Sequence, residues 1–217
     1  MGTGVSSAVI LSAAEIAPSM ARYIKETDFV VACDAGYKNA ETLGVRPNLI
    51  LGDFDSAPQP KAEGDKIVLP HVKDDTDTHY AARWLLAQGC KKITLLGVLG
   101  GARLEHTLAN IATGLFLAQN GVEVLLADAR SELRYLLPGH PLRLQSRDAE
   151  GAWKYLSVFP LAGAMTGVGI AGVFYPLDNA TLTPAYPLGV SNEFVEPTAR
   201  LCCAGGSGLV VLTRADG

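Results

Sequence analysis

The chemistry in this chain is best sought in Leu49-Ile50-Leu51-Gly52-Asp53-Phe54-Asp55-Ser56, a short apolar run that ends in two carboxylates one residue apart. Extended backbone alternates its side chains, so Asp53 and Asp55 share one face and Phe54 takes the other. Adjacent carboxylates repel unless a cation or a proton shares the site. A divalent cation is the natural partner, since Mg²⁺ takes one or two carboxylates together with phosphate oxygens and water. An Asp-rich turn after a strand looks the same, so the surroundings must decide.

A second polar cluster, Lys73-Asp74-Asp75-Thr76-Asp77, stands where a loop enters a helix. Thr76 or Asp77 suits an N-cap, and acids there suit the helix dipole. Capping accounts for one of these residues and leaves the other acids unexplained. The functional alternative is a second metal or polyphosphate site facing Asp53 and Asp55. Gly97-Val-Leu-Gly-Gly-Ala-Arg-Leu-Glu-His106 adds a flexible backbone and a cation. Free N–H groups at a helix N-terminus bind phosphate, and Arg103 can clamp it with two hydrogen bonds. No Gly-Lys-Ser/Thr follows, so this is not a Walker A loop, and it is not GxGxxG. A glycine-bearing strand–loop–helix turn is equally a plain architectural device. His106 reads equally as a structural histidine. Gly189-Val-Ser-Asn-Glu-Phe194 joins a turn to a strand. There Ser191 and Asn192 are ordinary turn residues that could also read a polar ring.

The elements that must position these groups fall into two textures. Ala8–Ser12, Phe29–Cys33, Leu49–Leu51, Lys66–Pro70, Lys92–Leu96 and Val122–Ala127 read as strands. Helical patterns over 14–26, 37–43, 79–88 and 105–119 lie between several of them. Strands alternating with helices imply a mostly parallel, layered α/β domain over residues 1–129. In such sheets ligands bind beyond the carboxyl ends of the strands. Asp34, Asp53 and Asp55, the 97–103 loop and Asp128 all follow strands. From residue 130 to 217 glycines and prolines recur among short apolar or alternating runs. Leu142–Gln145, Tyr155–Phe159, Val168–Ile170, Phe194–Glu196 and Leu209–Leu212 read as strands of an all-β sandwich domain. Trp153 reads as sandwich core or rim, and Gly205-Gly-Ser-Gly208 as a hairpin turn.

The 217 residues are 48% apolar and 18% charged with a net charge of −4. That argues against a broad nucleic-acid or anionic-membrane surface. No apolar stretch reaches membrane-spanning length, and the N-terminus lacks the basic residues of a secretory signal. Cys33, Cys90, Cys202 and Cys203 form no CxxC. The expectation is reduced thiols in a cytoplasmic protein.

Taken in order, Asp34-Ala-Gly36, Pro47-Asn48, Gly52-Asp-Phe-Asp-Ser56, Lys73-Asp-Asp-Thr-Asp77, Gly100-Gly-Ala-Arg-Leu-Glu-His106 and Ser191-Asn-Glu193 resemble the motifs of thiamine pyrophosphokinases over nearly the whole chain. The resemblance implies transfer of the terminal pyrophosphoryl group of ATP to the hydroxyl of thiamine, giving thiamine diphosphate and AMP. It also implies Mg²⁺ and a homodimer with shared active sites. The N-terminal domain would bind ATP and the β-sandwich thiamine. Asp53 and Asp55 would hold Mg²⁺ and polyphosphate. Thr76 and Asp77 would complete that cluster, Arg103 would sit on phosphate, and Asp34 would lie by the nucleotide. Ser191 and Asn192 would contact thiamine. Glu105 and His106 would lie on the substrate side; where the family often has Arg-x-Asp-His, this chain has Arg103-Leu104-Glu105-His106, and the longer Glu105 departs from that pattern. No aromatic partner for the thiamine ring stands out. Competing readings are a pyrophosphokinase for another alcohol such as a pterin, an Asp-x-Asp phosphatase, and a non-catalytic thiamine- or nucleotide-binding protein. The phosphatase reading places its nucleophile after the first strand of the domain, whereas Asp53 follows the third.

Overall fold

The computed structural model describes residues 5–52, 65–68 and 75–215, and of 65–68 the backbone only. Asp53, Asp55, Lys73 and Asp74 lie outside the described residues. The chain divides into two compact units, Met1–Ala129 and Arg130–Gly217.

In the first unit, strands β1 (Ser7–Leu11), β2 (Phe29–Cys33), β3 (Leu49–Gly52), β4 (Asp65–Val68), β5 (Lys92–Leu96) and β6 (Glu123–Ala127) run parallel in the order β4-β3-β2-β1-β5-β6. The chain steps outward from β1 to β4, then crosses back to place β5 on the other side of β1. Register is set directly: Val9 faces Val30 on one side and Thr94 on the other. β1, β2, β3 and β5 are almost continuously apolar because both faces of the sheet are covered. Ile10, Leu11, Ile50, Leu51, Ile93, Leu95 and Leu96 are all fully buried. Each such side chain contributes about 1.5–3 kcal/mol of transfer free energy.

Among the described residues of this unit, the α-helices are α1 (Gly36–Leu43), α2 (Asp77–Ala87) and α3 (Leu104–Gln119). α1 stops at Gly44, whose φ of 66° makes the left-handed cap. α2 buries Ala81, Ala82 and Leu85. The stretch expected as a helix over 14–26 instead forms only a 3₁₀ segment, Pro18–Tyr23. Pro18 opens that segment, and residues 12–14 are held to β5 and its loop by backbone hydrogen bonds. Ser12 N donates to Leu96 O and Ala14 N to Gly97 O. That tie leaves no helical start before the proline.

The second unit is antiparallel. β7 (Ser131–Leu136), β11 (Tyr155–Pro160) and β15 (Gly208–Thr213) pair as β11-β15-β7. β8 (Leu142–Gln145), β12 (Met165–Ala171), β13 (Leu177–Leu182) and β14 (Thr198–Cys202) pair as β13-β12-β14-β8. A short ribbon joins β9 (Arg147–Asp148) to β10 (Gly151–Ala152). One buried cluster draws Leu156, Val158, Val210 and Leu212 from the first sheet and Leu144, Val168, Ile170, Ala199 and Leu201 from the second. The chain is thus an α/β protein followed by a β-sandwich. Trp153 belongs to that cluster, and the Arg214 guanidinium stacks 3.9 Å from its ring centroid. Arg214 also reaches Asp148 at 2.5 Å and Gly151 O at 3.2 Å, binding the ribbon to the end of β15.

Two local expectations need correction. Gly205–Gly208 is no hairpin turn, because β14 and β15 lie in different sheets. The glycines carry the chain between the sheets over Met165: a Cβ on Gly206 would meet Ala164 O at 2.5 Å, and one on Gly208 the Met165 sulfur at 2.6 Å. Phe194–Glu196 is not a strand but a single bridge, Val173 to Phe194. The preceding 189–193 segment is bonded to β11 and to the 174–175 loop, which leaves no ladder for it to join.

Candidate functional site

Strand order reverses between β1 and β5, and the loops after these two strands line a common cavity there. Such a switch point opens a crevice at the carboxyl edge of a parallel sheet. A cavity of about 280 Å³ lies here, lined by Ser12, Ala13, Ala14, Asp34, Gly97, Val98, Gly100, Gly101, Ala102, Arg103, His106 and Asn110. Three of the singled-out residues, Asp34, Arg103 and His106, therefore line one cavity.

Asp34 is the residue after β2. It holds a left-handed backbone (φ 47°), a conformation few non-glycine residues adopt and Asp tolerates better than most. Its N–H donates to Leu51 O at 2.7 Å, so the strained turn is braced against the end of β3. Asp53 lies two residues beyond that bond. Gly36, next along, packs so tightly that a Cβ there would sit 2.1 Å from Leu11 O. The start of α1 thus presses directly onto the end of β1.

Arg103 is the N-cap residue of α3, and its own side chain gives the helix no capping bond. The N-terminus of a 16-residue helix therefore opens beside the cavity together with a guanidinium and an imidazole. This combination favours an anion. Arg103 Nε donates to Glu105 Oε1 at 2.7 Å, and both side chains are about two-thirds exposed (67% and 65%). That hydrogen bond, above all, holds the Glu105 carboxyl below the usual carboxylate range.

Thr76 is the N-cap of α2: its Oγ1 accepts from His79 N at 3.1 Å. Asp77 stands in the first turn, where its charge suits the dipole. The start of α2 is anchored beside the same strand ends. Cys33 Sγ donates to Asp77 O at 3.7 Å, and the Thr78 and Ser12 hydroxyls are 3.1 Å apart. Asp75 bonds Arg83 at 2.7 Å on the surface. Among the described residues no three His, Cys, Asp or Glu side chains cluster to hold a metal.

In the second unit Ser191 takes a left-handed backbone (φ 58°), and its N–H donates to Ser157 Oγ at 2.9 Å. Asn192 is buried and forms a bridge with Leu156 through bonds of 2.8 and 2.9 Å. Its carboxamide brackets Tyr175, accepting from Tyr175 N at 2.9 Å and donating to Tyr175 O at 2.7 Å. Asn192 thus shapes a loop that presents Phe174 and Tyr175, both exposed.

Sequence reasoning passed over Ser12, Asn39 and Asn110. The signal was present: Asn39 and Asn110 are carboxamides set among the buried positions of α1 and α3. A polar side chain there needs a partner, and both find one on the loops around the cavity.

Comparison with known proteins follows the same division. Residues 20–126 match the family model described as thiamin pyrophosphokinase, catalytic domain, and residues 140–202 match thiamin pyrophosphokinase, vitamin B1 binding domain. A thiamine pyrophosphokinase of Bacillus subtilis is 25% identical over 203 residues, 91% of this chain and 92% of that protein. The crystal structure of a thiamin pyrophosphokinase from Geobacillus thermodenitrificans is similar with a TM-score of 0.84 and 26% identity, covering 96% of this chain and 98% of that one. The yeast enzyme's crystal structure shares the fold with a TM-score of 0.77 at 14% identity, covering 98% of this chain and 87% of that one.

Proposed function

This chain belongs to the thiamin pyrophosphokinase family, and from that premise we propose how its residues carry out the reaction. It is an enzyme that moves the pyrophosphoryl group of ATP to the hydroxyl of thiamine, leaving AMP. The first unit binds ATP and the second binds thiamine. The observation that carries the nucleotide assignment is the cavity at the β1/β5 switch point, with Asp34, Arg103 and His106 in its wall.

Pyrophosphoryl transfer asks for alignment and charge stabilisation more than for covalent help from the protein. Arg103 and the N-terminus of α3 bind the polyphosphate and stabilise the charge that grows on it. Asp34 lies by the nucleotide, and His106 flanks it. Asp77 accepts the thiamine hydroxyl proton as the oxygen attacks the β-phosphorus in line with the bond to the leaving AMP. Thr76 holds Asp77 in place through the cap. In the second unit Ser191 contacts thiamine, while Asn192 shapes the Tyr175 loop beside it.

The acids at these strand ends offer only oxygen donors, a set that suits a hard divalent cation. Asp53 and Asp55, directly after β3, would hold it. A Mg²⁺ held by these carboxylates would supply charge neutralisation of the polyphosphate and fix its shape.

We further propose a homodimer that shares its active sites. Support comes from Phe174, Tyr175, Tyr186, Leu188 and Val195, large apolar side chains left exposed in the second unit. Patches of this kind mark interaction surfaces. A cytoplasmic location fits the free thiols of Cys33, Cys90, Cys202 and Cys203. No helix among the described residues is long and apolar enough to cross a membrane.

The test is AMP release from ATP and Mg²⁺, with and without thiamine, products resolved by chromatography. Thiamine-dependent AMP with thiamine diphosphate is expected. Thiamine-independent phosphate release would make the protein a hydrolase. Activity only with another alcohol, such as a pterin, would replace the acceptor. Sedimentation at micromolar concentration checks the dimer.

A further inference from the structure

We propose that Asn39 and Asn110 are positioning residues that set the polarity of the nucleotide cavity, by turning the carbonyl oxygens of its two lining loops away from the polyphosphate. The inference rests on the reading that ATP occupies the β1/β5 cavity.

Asn39 Nδ2 donates to Ser12 O at 2.6 Å and to Ala14 O at 2.8 Å. Asn110 Nδ2 donates to Val98 O at 2.8 Å. Ser12, Ala14 and Val98 all line the cavity. Three carbonyl oxygens of its wall are thus committed to carboxamides, Asn39 from α1 outside the lining and Asn110 from α3 within it. Both asparagines are buried, 8% and 6% exposed. A carboxamide at such a position is unfavourable unless it is bonded, and an apolar side chain would pack there as well. What the carboxamides add is direction to the loops.

That direction matters for an anion. A carbonyl oxygen carries partial negative charge, and one facing a polyphosphate repels it. Donors that are fixed before binding cost no reorganisation when the ligand arrives. The two loops are also joined to each other by the Ser12–Leu96 and Ala14–Gly97 backbone bonds, both 2.9 Å. Asn39 therefore braces the β1 loop directly and the β5 loop only through these backbone bonds. Space for it exists only because residue 97 is glycine in the left-handed region (φ +66°). A Cβ there would lie 2.6 Å from Ser12 O, 2.8 Å from Asn39 Nδ2 and 2.9 Å from Ala14 O.

The experiment measures kcat, the KM for ATP and the KM for thiamine in Asn39→Asp, Asn110→Ala and Arg103→Ala, with thermal midpoints alongside. Asn39→Asp keeps the shape but replaces the donor with an acceptor facing two carbonyls. The expected result is an ATP KM raised about tenfold, the thiamine KM changing less than about twofold, and Asn110→Ala shifting in the same direction. A merely structural role would lower the midpoint and move both KM values together, and that result overturns the proposal. So does an unchanged ATP KM in the asparagine variants while Arg103→Ala raises it. An ATP KM unmoved by Arg103→Ala as well removes the nucleotide from this cavity, and the proposal falls with that reading. If Asn39→Asp does not fold, the Asn110→Ala comparison decides alone.

Discussion

Arg103 Nε lies 2.7 Å from Glu105 Oε1, so the cation assigned to phosphate is already partnered by a carboxylate two residues along its own helix. A shorter aspartate at 105 would have less reach toward Arg103. Polyphosphate must therefore displace or share the guanidinium. Glu105→Gln is expected to lower the KM for ATP several-fold, because a neutral amide competes less for Arg103. The thermal midpoint should barely change, since the pair is exposed. Glu105 sits below the usual carboxylate range because of Arg103. Its charge, and the competition, persist above that depressed value and fade as pH falls through it. The KM difference between wild type and variant should then hold at neutral pH and close only in acid. Steady-state kinetics across pH checks this, and a raised ATP KM in the variant would instead make Glu105 a direct substrate contact.

Asp53→Asn and Asp55→Asn should each lose about a hundredfold or more in kcat while keeping a wild-type circular dichroism spectrum. The loss should be partly offset by raised Mg²⁺ if these carboxylates hold the cation. Normal turnover in either purified variant would overturn the metal assignment.

Thr76 caps α2 and is assigned a place beside the phosphates. Thr76→Ala removes the acceptor for His79 N and should destabilise the protein by about 1 kcal/mol. Thr76→Ser restores the cap. If Thr76 serves only to hold Asp77, the serine variant recovers both stability and kcat. Recovery of stability without kcat would place the lost methyl group in the substrate's path.

Asn192→Ala should free the Tyr175 loop and leave the Tyr175 N–H and C=O without their bonds. A cost of about 1–3 kcal/mol is expected. The kinetic signature should be a raised thiamine KM with the ATP KM unchanged, read by varying each substrate in turn. An effect confined to ATP would contradict the assignment of thiamine to the second unit.

The parallel strands were legible because burial on both faces writes itself as unbroken apolar runs, as in Phe29–Cys33 and Leu49–Leu51. α1 was legible from its glycine cap, and the start of α2 from Thr76. The 14–26 stretch misled because its apolar spacing suits a helix, while the backbone bonds to Leu96 and Gly97 that forestall one join residues more than eighty positions apart. β13 and β14 were missed for a related reason. In β14 exposed Arg200 stands between buried Ala199 and Leu201, and in β13 irregular pairing with β12 spaces the apolar residues Leu177, Ala180 and Leu182 unevenly, so neither reads as a clear strand. In the site, Asp34 and Arg103 announced themselves through motifs. Asn39 did not, since its partners lie 25 and 27 residues away and only the fold brings them together.

The central place of β1 has a consequence for how the first unit is made. β1 precedes both of its neighbours in the chain, yet its pairing with β5 joins Ser7 to Lys92 and Leu11 to Leu96. Until that later strand leaves the ribosome, β1 has one naked edge, and its apolar residues are only half sheltered. Long loop closures of this kind slow folding, and unpaired apolar strands invite association with other chains. Co-translational folding of the first unit should therefore be a late event, gated by emergence of residue 96 and not by the formation of β1 to β4.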